Sequence, residues 1–458
     1  MTARLREVLH DAAVDVPAYP VYEQALATVR RRRRRTRLTA AAALVVVALI
    51  TAVLPSARTP SVGPAAGVDA ALPDRVGLPP IGTLHATDRP RLGPASVIFT
   101  GQAPRLIRAS EGSNIAVVSA NSDRYRTIKG ESGAQAGEDT LLSPDGHQVA
   151  FRTSGVRVVD LTTTRSRTVT SGVPDSLQTE PAAWSPDGRA LVVRDTVPAN
   201  PQRSAYRTVL SLVWLDGNRR IRLADEYEAS ISPVAFTPDG TRLAFQTDRT
   251  VTITDLAGRQ LAAFPLAPDT ELAGKGAWST DGRSLTVTRR DADRWALRQV
   301  DATTGRDLGA LELPTVSGVT AIRLLGWAAD GSARVVAYLP APTAPGAFDR
   351  PLDMEQRLAY GNVDTVQVLA LDRGAESATI LLTAPADVVA IDVAERVIQG
   401  GLTRAANPPL GVGPRLWYWA VVGTIAIAVV VAYLNRAALM LWWGNRKARR
   451  ASSAPQLR

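Results

Sequence analysis

Val234-Ala235-Phe236-Thr237-Pro238-Asp239-Gly240-Thr241-Arg242-Leu243-Ala244-Phe245 is an apolar run, a Pro-Asp-Gly centre and a second apolar run. Proline presets φ for a turn, the aspartate carboxylate can bond its own backbone, and glycine takes the left-handed conformation that closes a hairpin. The stretch therefore reads as two antiparallel strands joined by a tight turn. Close copies stand at Ala183-Trp184-Ser185-Pro186-Asp187-Gly188-Arg189 and Ala277-Trp278-Ser279-Thr280-Asp281-Gly282-Arg283. Looser ones stand at Gly326-Trp327-Ala328-Ala329-Asp330-Gly331-Ser332 and Leu142-Ser143-Pro144-Asp145-Gly146-His147.

The five aspartates, Asp145, Asp187, Asp239, Asp281 and Asp330, are 42, 52, 42 and 49 residues apart. That interval suits a four-stranded propeller blade. The clearest unit predicts strands at Pro233 to Phe236, Arg242 to Gln246, Val251 to Asp255 and Gln260 to Phe264. Second hairpins follow at Leu256-Ala257-Gly258-Arg259, Leu161-Thr162-Thr163-Thr164, Asp216-Gly217-Asn218 and Thr303-Thr304-Gly305. The aromatics at 184, 236, 278 and 327 are expected to pack between adjacent blades. Strands around 115 to 128 read as the last half of a blade, and 387 to 391 with 395 to 399 as its first half. Joined across the termini they give six blades; a separate blade around 96 to 100 would give seven. The fold class is all-β: a six-bladed, alternatively seven-bladed, propeller flanked by two transmembrane α-helices.

The pattern aromatic-Ser-Pro-Asp-Gly-Arg-x-Leu, followed by an apolar strand and a hairpin ending in Asp-Leu-x-x-Gly, resembles the WD-repeat-like propellers of the TolB type over about residues 95 to 400. The resemblance implies the fold and no particular task, because such propellers scaffold many functions. The chain departs from the pattern where Thr280 and Ala329 replace proline and where Leu142 replaces the aromatic.

Outside the repeats, two apolar segments carry no charge. Leu38 to Leu54 follows seven arginines within Arg30–Arg37, and Leu416 to Leu434 opens with Trp417, Tyr418 and Trp419 and precedes a basic tail. Seventeen residues at the helical rise reach about 26 Å, close to a bilayer core. A signal peptide is the competitor for the first segment, but its charged region would be unusually long. Arginine-rich flanks stay cytoplasmic and aromatic rings settle at the interface. The expected organisation is a cytoplasmic segment at 1–37, a span at 38–54, a Pro-rich linker at 55–95, the propeller at 96–400, a linker at 401–415, a span at 416–434 and a basic cytoplasmic tail at 435–458. The expected location is the cell membrane, crossed twice, with both termini cytoplasmic and the propeller extracytoplasmic. The arginine run would meet anionic lipids. The N-terminal 37 residues resemble the leader of actinobacterial membrane proteins associated with sigma factors, which implies a cytoplasmic regulator as partner.

The net charge of +10 sits at the two ends, and residues 38 to 435 are close to neutral. The propeller thus lacks the basic stripe that a nucleic-acid surface needs, and no nucleic-acid partner is expected. No cysteine is present, so thiolate chemistry and Cys-ligated zinc are excluded. His85 lies in the linker and His147 in a turn. No catalytic, cofactor or metal motif is found, and none of these sites is predicted.

Long insertions fall opposite the Pro-Asp-Gly turns, at Asp195 to Arg207 and Pro340 to Asp364. Long loops on a rigid scaffold often carry binding, and the expected contacts are Phe348, Asp349, Arg350, Met354 and Tyr360. The expected function is a membrane-anchored extracytoplasmic module that binds or senses a protein, peptide or envelope ligand without catalysis. The alternatives are an envelope-assembly scaffold and a hydrolase acting at the propeller pore.

Overall fold

The computed structural model describes residues 70–108, 112–217, 219–227, 231–342, 362–409 and 413–434. Residues 62–417 form one compact unit, which contains the propeller. Met1–Ser61 and Tyr418–Arg458 form another.

Six antiparallel sheets, each built on four strands, make the propeller. In the third, Ile231–Phe236, Arg242–Thr247, Thr250–Asp255 and Gln260–Pro265 pair in chain order, here called a, b, c and d outward from the central channel. The turn between a and b forms as its residue types require. Gly240 N donates to Thr237 O at 2.8 Å, the Thr237 hydroxyl donates to Asp239 Oδ1 at 2.6 Å, and Thr241 N donates to the same oxygen at 3.0 Å. Gly240 sits at φ +70°, a conformation that costs glycine little. These donors, the Thr237 hydroxyl first, hold the Asp239 carboxyl down at about 2. Thr280 in place of proline does not disturb the pattern: Ser279 Oγ and Arg283 N still donate to Asp281 Oδ1 at 2.7 and 3.0 Å. The serine hydroxyl and the aspartate carry the turn, and the proline only presets it. His147 is part of such a turn, with Nδ1 2.8 Å from Thr162 Oγ1.

The repeated aromatics pack between blades as expected, and the tryptophans also clasp the preceding blade. Trp184, Trp278 and Trp327 bring Nε1 to the carbonyls of Leu141, Ala235 and Gly276 at 3.4, 3.1 and 3.1 Å. A buried indole needs such an acceptor. Phe236 has no donor and is simply packed with Ala183, Leu212 and Phe245.

The ring is closed by one C-terminal strand. Val388–Val393 pairs as strand a with Ala95–Gly101, followed by Gly112–Ser119 and Tyr125–Gly130. The strand at 95–101 therefore belongs to the closing blade, so the ring has six blades and a seventh is excluded. Residues 395 to 399, expected as a strand, are instead helix α1, Glu395–Gly400. The reason is topological. Strand b of this blade comes from the other end of the chain, so no a-to-b hairpin can follow Val393. A helix satisfies its own backbone, buries Val397 and Ile398, and ends at the left-handed Gly401, φ +63°.

The described part of the N-terminal linker is bound to the propeller and is not a free spacer. Leu72–Pro73 pairs in parallel with Thr403–Arg404, and Ala406 N donates to Asp74 Oδ1 at 3.0 Å. Further on, Gly413 N and Arg415 N donate to Ile81 O and Gly82 O at 2.7 and 3.1 Å. Arg415 also pairs with Asp88 at 3.0 Å. The two linkers thus run side by side. The first is held to Thr383 of the fifth blade by Val76 N at 3.0 Å and to Thr127 of the closing blade by Ala86 N at 3.0 Å, and the second pairs Arg404 with Asp123 of the closing blade.

Helix α2, Pro414–Leu434, starts where that pairing ends. Its side chains are described without a break from Pro414 to Val430, and no described helix is long and apolar enough to cross a membrane. In the second unit, Tyr418 and Trp419 stack edge to face at 5.6 Å and are exposed. The segment 38–54 lies outside the described residues.

Candidate functional site at the mouth and throat of the central channel

The innermost strands surround a cavity of about 560 Å³. Its mouth is a ring of equivalent positions. Pro144, Pro186, Pro238, Thr280 and Ala329, the residues just before the five turn aspartates, all line it. The sixth place is taken by α1, where Arg396 N donates to Pro144 O at 2.9 Å and Gln399 O accepts from Ala329 N at 3.1 Å. The cavity thus opens on the Pro-Asp-Gly side, opposite the long insertions. The proline rings and the half-buried indole of Trp327 give this rim an apolar wall, with Trp278 packed behind it.

Deeper in, the walls become charged. Arg323, on strand a of the fifth blade (Ala321–Trp327), is 5% exposed. It donates to Tyr338 Oη at 3.0 Å, Gly137 O at 2.6 Å, Ile391 O at 2.5 Å and Ala136 O at 3.5 Å. One guanidinium therefore ties the fifth blade to the closing blade and to the segment leading into the first. Asp392, fully buried, accepts from Leu142 N at 2.9 Å and from Lys275 Nζ at 2.6 Å, and Lys275 donates as well to Val393 O at 2.6 Å. A second knot joins the first two blades. Glu180 takes Arg152 at 3.0 Å on one oxygen and Arg194 Nη2 and Nε at 2.9 and 3.2 Å on the other.

Burial and neighbours set the titration of these groups. Burial raises the Glu180 carboxyl, but the charge and hydrogen bonds of Arg194 outweigh it and hold the group below its ordinary value. Asp139 is pushed up by burial to about 6, although Gln135 N donates to it at 2.7 Å. Glu138 is raised by burial against the opposing charges of Arg323 and Arg194. Its carboxylate lines the cavity 4.0 Å from Arg323 Nε, beyond hydrogen-bonding distance, and accepts no side-chain hydrogen bond shown among the described residues. Glu395, on α1 at the cavity wall, is likewise raised by burial, with Lys275 opposing, and accepts from Gln399 Nε2 at 2.9 Å.

Chemically the throat offers carboxylate acceptors to whatever enters, because Arg323, Lys275 and Arg194 are engaged by protein oxygens. Among the described residues no group of three or more His, Cys, Asp or Glu side chains is arranged to hold a metal ion.

The chain is similar to TolB. The solved TolB of Acinetobacter baumannii matches at 14% identity and a TM-score of 0.40, over 66% of this chain and 65% of its own length. An oligogalacturonate lyase in complex with manganese matches at 15% identity and a TM-score of 0.38, over 58% of this chain and 71% of its own. The oligogalacturonate lyase of Vibrio parahaemolyticus matches at 12% and 0.38, over 65% and 81%. No family model and no curated protein matches the chain. The six-bladed ring follows from the strand order and does not depend on these likenesses.

Phe348, Asp349, Arg350, Met354 and Tyr360, the expected contacts, lie outside the described residues. Glu138, Lys275, Arg323 and Asp392 were not anticipated. Their signal is nevertheless present: Arg323 interrupts Ala321-Ile322-Arg323-Leu324-Leu325, and Asp392 interrupts Val388-Val389-Ala390-Ile391-Asp392-Val393. A charge in an innermost strand must be paired or face the channel, since burying it alone is prohibitive.

Proposed function

We propose that this chain is a membrane-tethered binding module: the propeller stands outside the cytoplasm and takes a protein, peptide or envelope ligand at the channel mouth, without catalysis. The observation that carries the reading is the rim. Five equivalent turn positions and α1 surround one cavity of about 560 Å³, within the size range of small-ligand pockets and open to a protruding segment of a larger partner. The rim is rigid because each turn is cross-bonded through its own aspartate.

The tethering rests on separate observations. Leu38 to Leu54 and Leu416 to Leu434 hold no charged residue and are flanked on their outer sides by arginines. The two linkers are strapped to the same blade, so two spans could leave the propeller together, with both termini cytoplasmic. The N-terminal segment would then report ligand binding to a cytoplasmic regulator, and Arg30–Arg37 would rest on anionic lipid.

The chain has no native cysteine, which makes the topology directly measurable. Single cysteines at Ala65 and at Ser453 are treated in intact cells with an impermeant maleimide. The reading expects labelling at position 65 and protection at 453 until the cells are opened; labelling of 453 in intact cells contradicts it.

A further inference from the structure

We infer that the channel receives a positively charged group on an extended apolar stem, of the kind a lysine or arginine side chain or an alkyl diamine presents. The inference rests on the proposed binding at the mouth and names its chemistry.

Three features of the cavity point the same way. The first is the state of its cations. Arg323 spends its guanidinium on Tyr338 and three main-chain carbonyls, Lys275 holds Asp392 and Val393 O, and Arg194 grips Glu180 through two nitrogens. An entering anion would have to break buried, charge-assisted bonds, which are the strong ones.

The second is the state of the acceptors. Glu138 faces the cavity 4.0 Å from Arg323 Nε, too far to accept its proton, and Glu395 accepts only from the Gln399 amide among the bonds shown. Burial makes the ionised form of both costly, and an incoming ammonium or guanidinium relieves that cost. The third is the order of the walls. The rim presents proline rings and the Trp327 indole, and the Glu138 carboxylate lies inside beside Arg323, matching an alkyl stem that ends in a charged head.

Arg373 is an exposed cation that also lines the cavity. It lies in solvent on the turn between strands Val363–Leu371 and Thr379–Thr383, where salt screens its charge.

The test uses full-length protein in detergent and calorimetric titration with four probes: cadaverine, a capped lysine-containing tetrapeptide, its norleucine counterpart, and glutarate. The expectation is saturable 1:1 binding of the lysine peptide or of cadaverine, with no binding of the norleucine peptide or glutarate. Which amine binds tells a polypeptide side chain from a free diamine. Glu138→Gln should weaken binding at least tenfold, and Glu395→Gln should weaken it less. Both carboxylates are half-buried, and neither accepts a main-chain hydrogen bond shown among the described residues, so neither substitution should lower the melting midpoint, which separates lost binding from lost folding. Binding of glutarate in place of the amines overturns the inference, as does amine binding unchanged in both variants. If no probe binds while a photocrosslinker at the rim still captures a partner, the cationic assignment falls and the binding reading stands.

Discussion

The indole Nε1 of Trp278, which bridges Leu285 just before the Asp281 turn of the fourth blade, donates to the main-chain carbonyl of Ala235 in the third at 3.1 Å. Trp278 is 2% exposed, so this bond and the packing around it join two blades where water does not reach. Trp278→Phe keeps most of the ring and loses the donor, leaving a buried carbonyl short of a partner at about 1–3 kcal/mol. Trp278→Ala adds a cavity and should cost about 3–5 kcal/mol. Denaturant unfolding of the two variants checks the order; equal losses would show that the clasp contributes nothing beyond volume.

Two glycines should respond in opposite order to their conformations. Gly240 needs a positive φ, +70°, but a Cβ there meets only Pro186, at 3.6 Å. Gly240→Ala should therefore cost about 1 kcal/mol, the ordinary penalty of that conformation. Gly101 needs no positive φ, yet its Cβ would collide with the main-chain oxygen of Asp387, where the C-terminal strand enters the closing blade. Backbone cannot give way like a side-chain tip, so Gly101→Ala should be the more damaging. Melting midpoints of the pair decide it.

The seam of the ring depends on Lys275 and Asp392. Lys275→Met leaves a fully buried carboxylate with Leu142 N as its remaining described donor. Losing one partner of a buried pair costs about 3–5 kcal/mol. Adding Asp392→Asn to Lys275→Met should recover part of that loss, because the amide oxygen can still accept from Leu142 N. A double-mutant cycle measures the coupling; strict additivity would deny it.

Asp139 gives a pH signature. Its carboxyl titrates at about 6 in the fold against an ordinary 3.8, so between those values the native state binds the extra proton. Stability from this group therefore rises as pH falls through 6 toward 3.8. Burial raises the group most; Glu180 adds to the rise, while Gln135 N, Arg152 and Thr140 oppose it. In Asp139→Asn the amide oxygen can still accept from Gln135 N and Thr140, at 2.7 and 3.1 Å in the native protein. The variant should be more stable than the native protein at pH 7, by on the order of 1–3 kcal/mol, with the difference shrinking toward pH 4. Asp239, held at about 2, acts in the opposite sense and only below about 3.8. Urea unfolding at pH 7 and 5 is the check.

Much of the ring was legible because its instructions are local. The turn at Thr237 to Thr241 is written in five residues, and copies at blade spacing leave few alternatives. The closing blade was only half legible, because which strands join across the termini is a non-local choice. Glu395 to Gln399 has β-branched Val397 and Ile398 at its centre, as a short strand does, and the missing hairpin partner leaves it a helix. The throat was obscured for the same reason: Arg323, Lys275 and Asp392 come from three blades and become neighbours only once the ring is closed. The rim was not legible either, because the residues before the five aspartates, Pro144, Pro186, Pro238, Thr280 and Ala329, come together only when the ring closes.

The most direct test of ligand capture at that rim is photocrosslinking in cells from two positions of the full-length chain. Thr280 is exposed at the mouth. Tyr206, 44% exposed, stands on the b-to-c hairpin of the second blade, on the opposite side. A benzophenone residue at 280 should yield a discrete crosslinked species that disappears when Glu138 is replaced by glutamine, and one at 206 should yield none. Capture from 206 with nothing from 280 would contradict the account and return the binding surface to the long insertions.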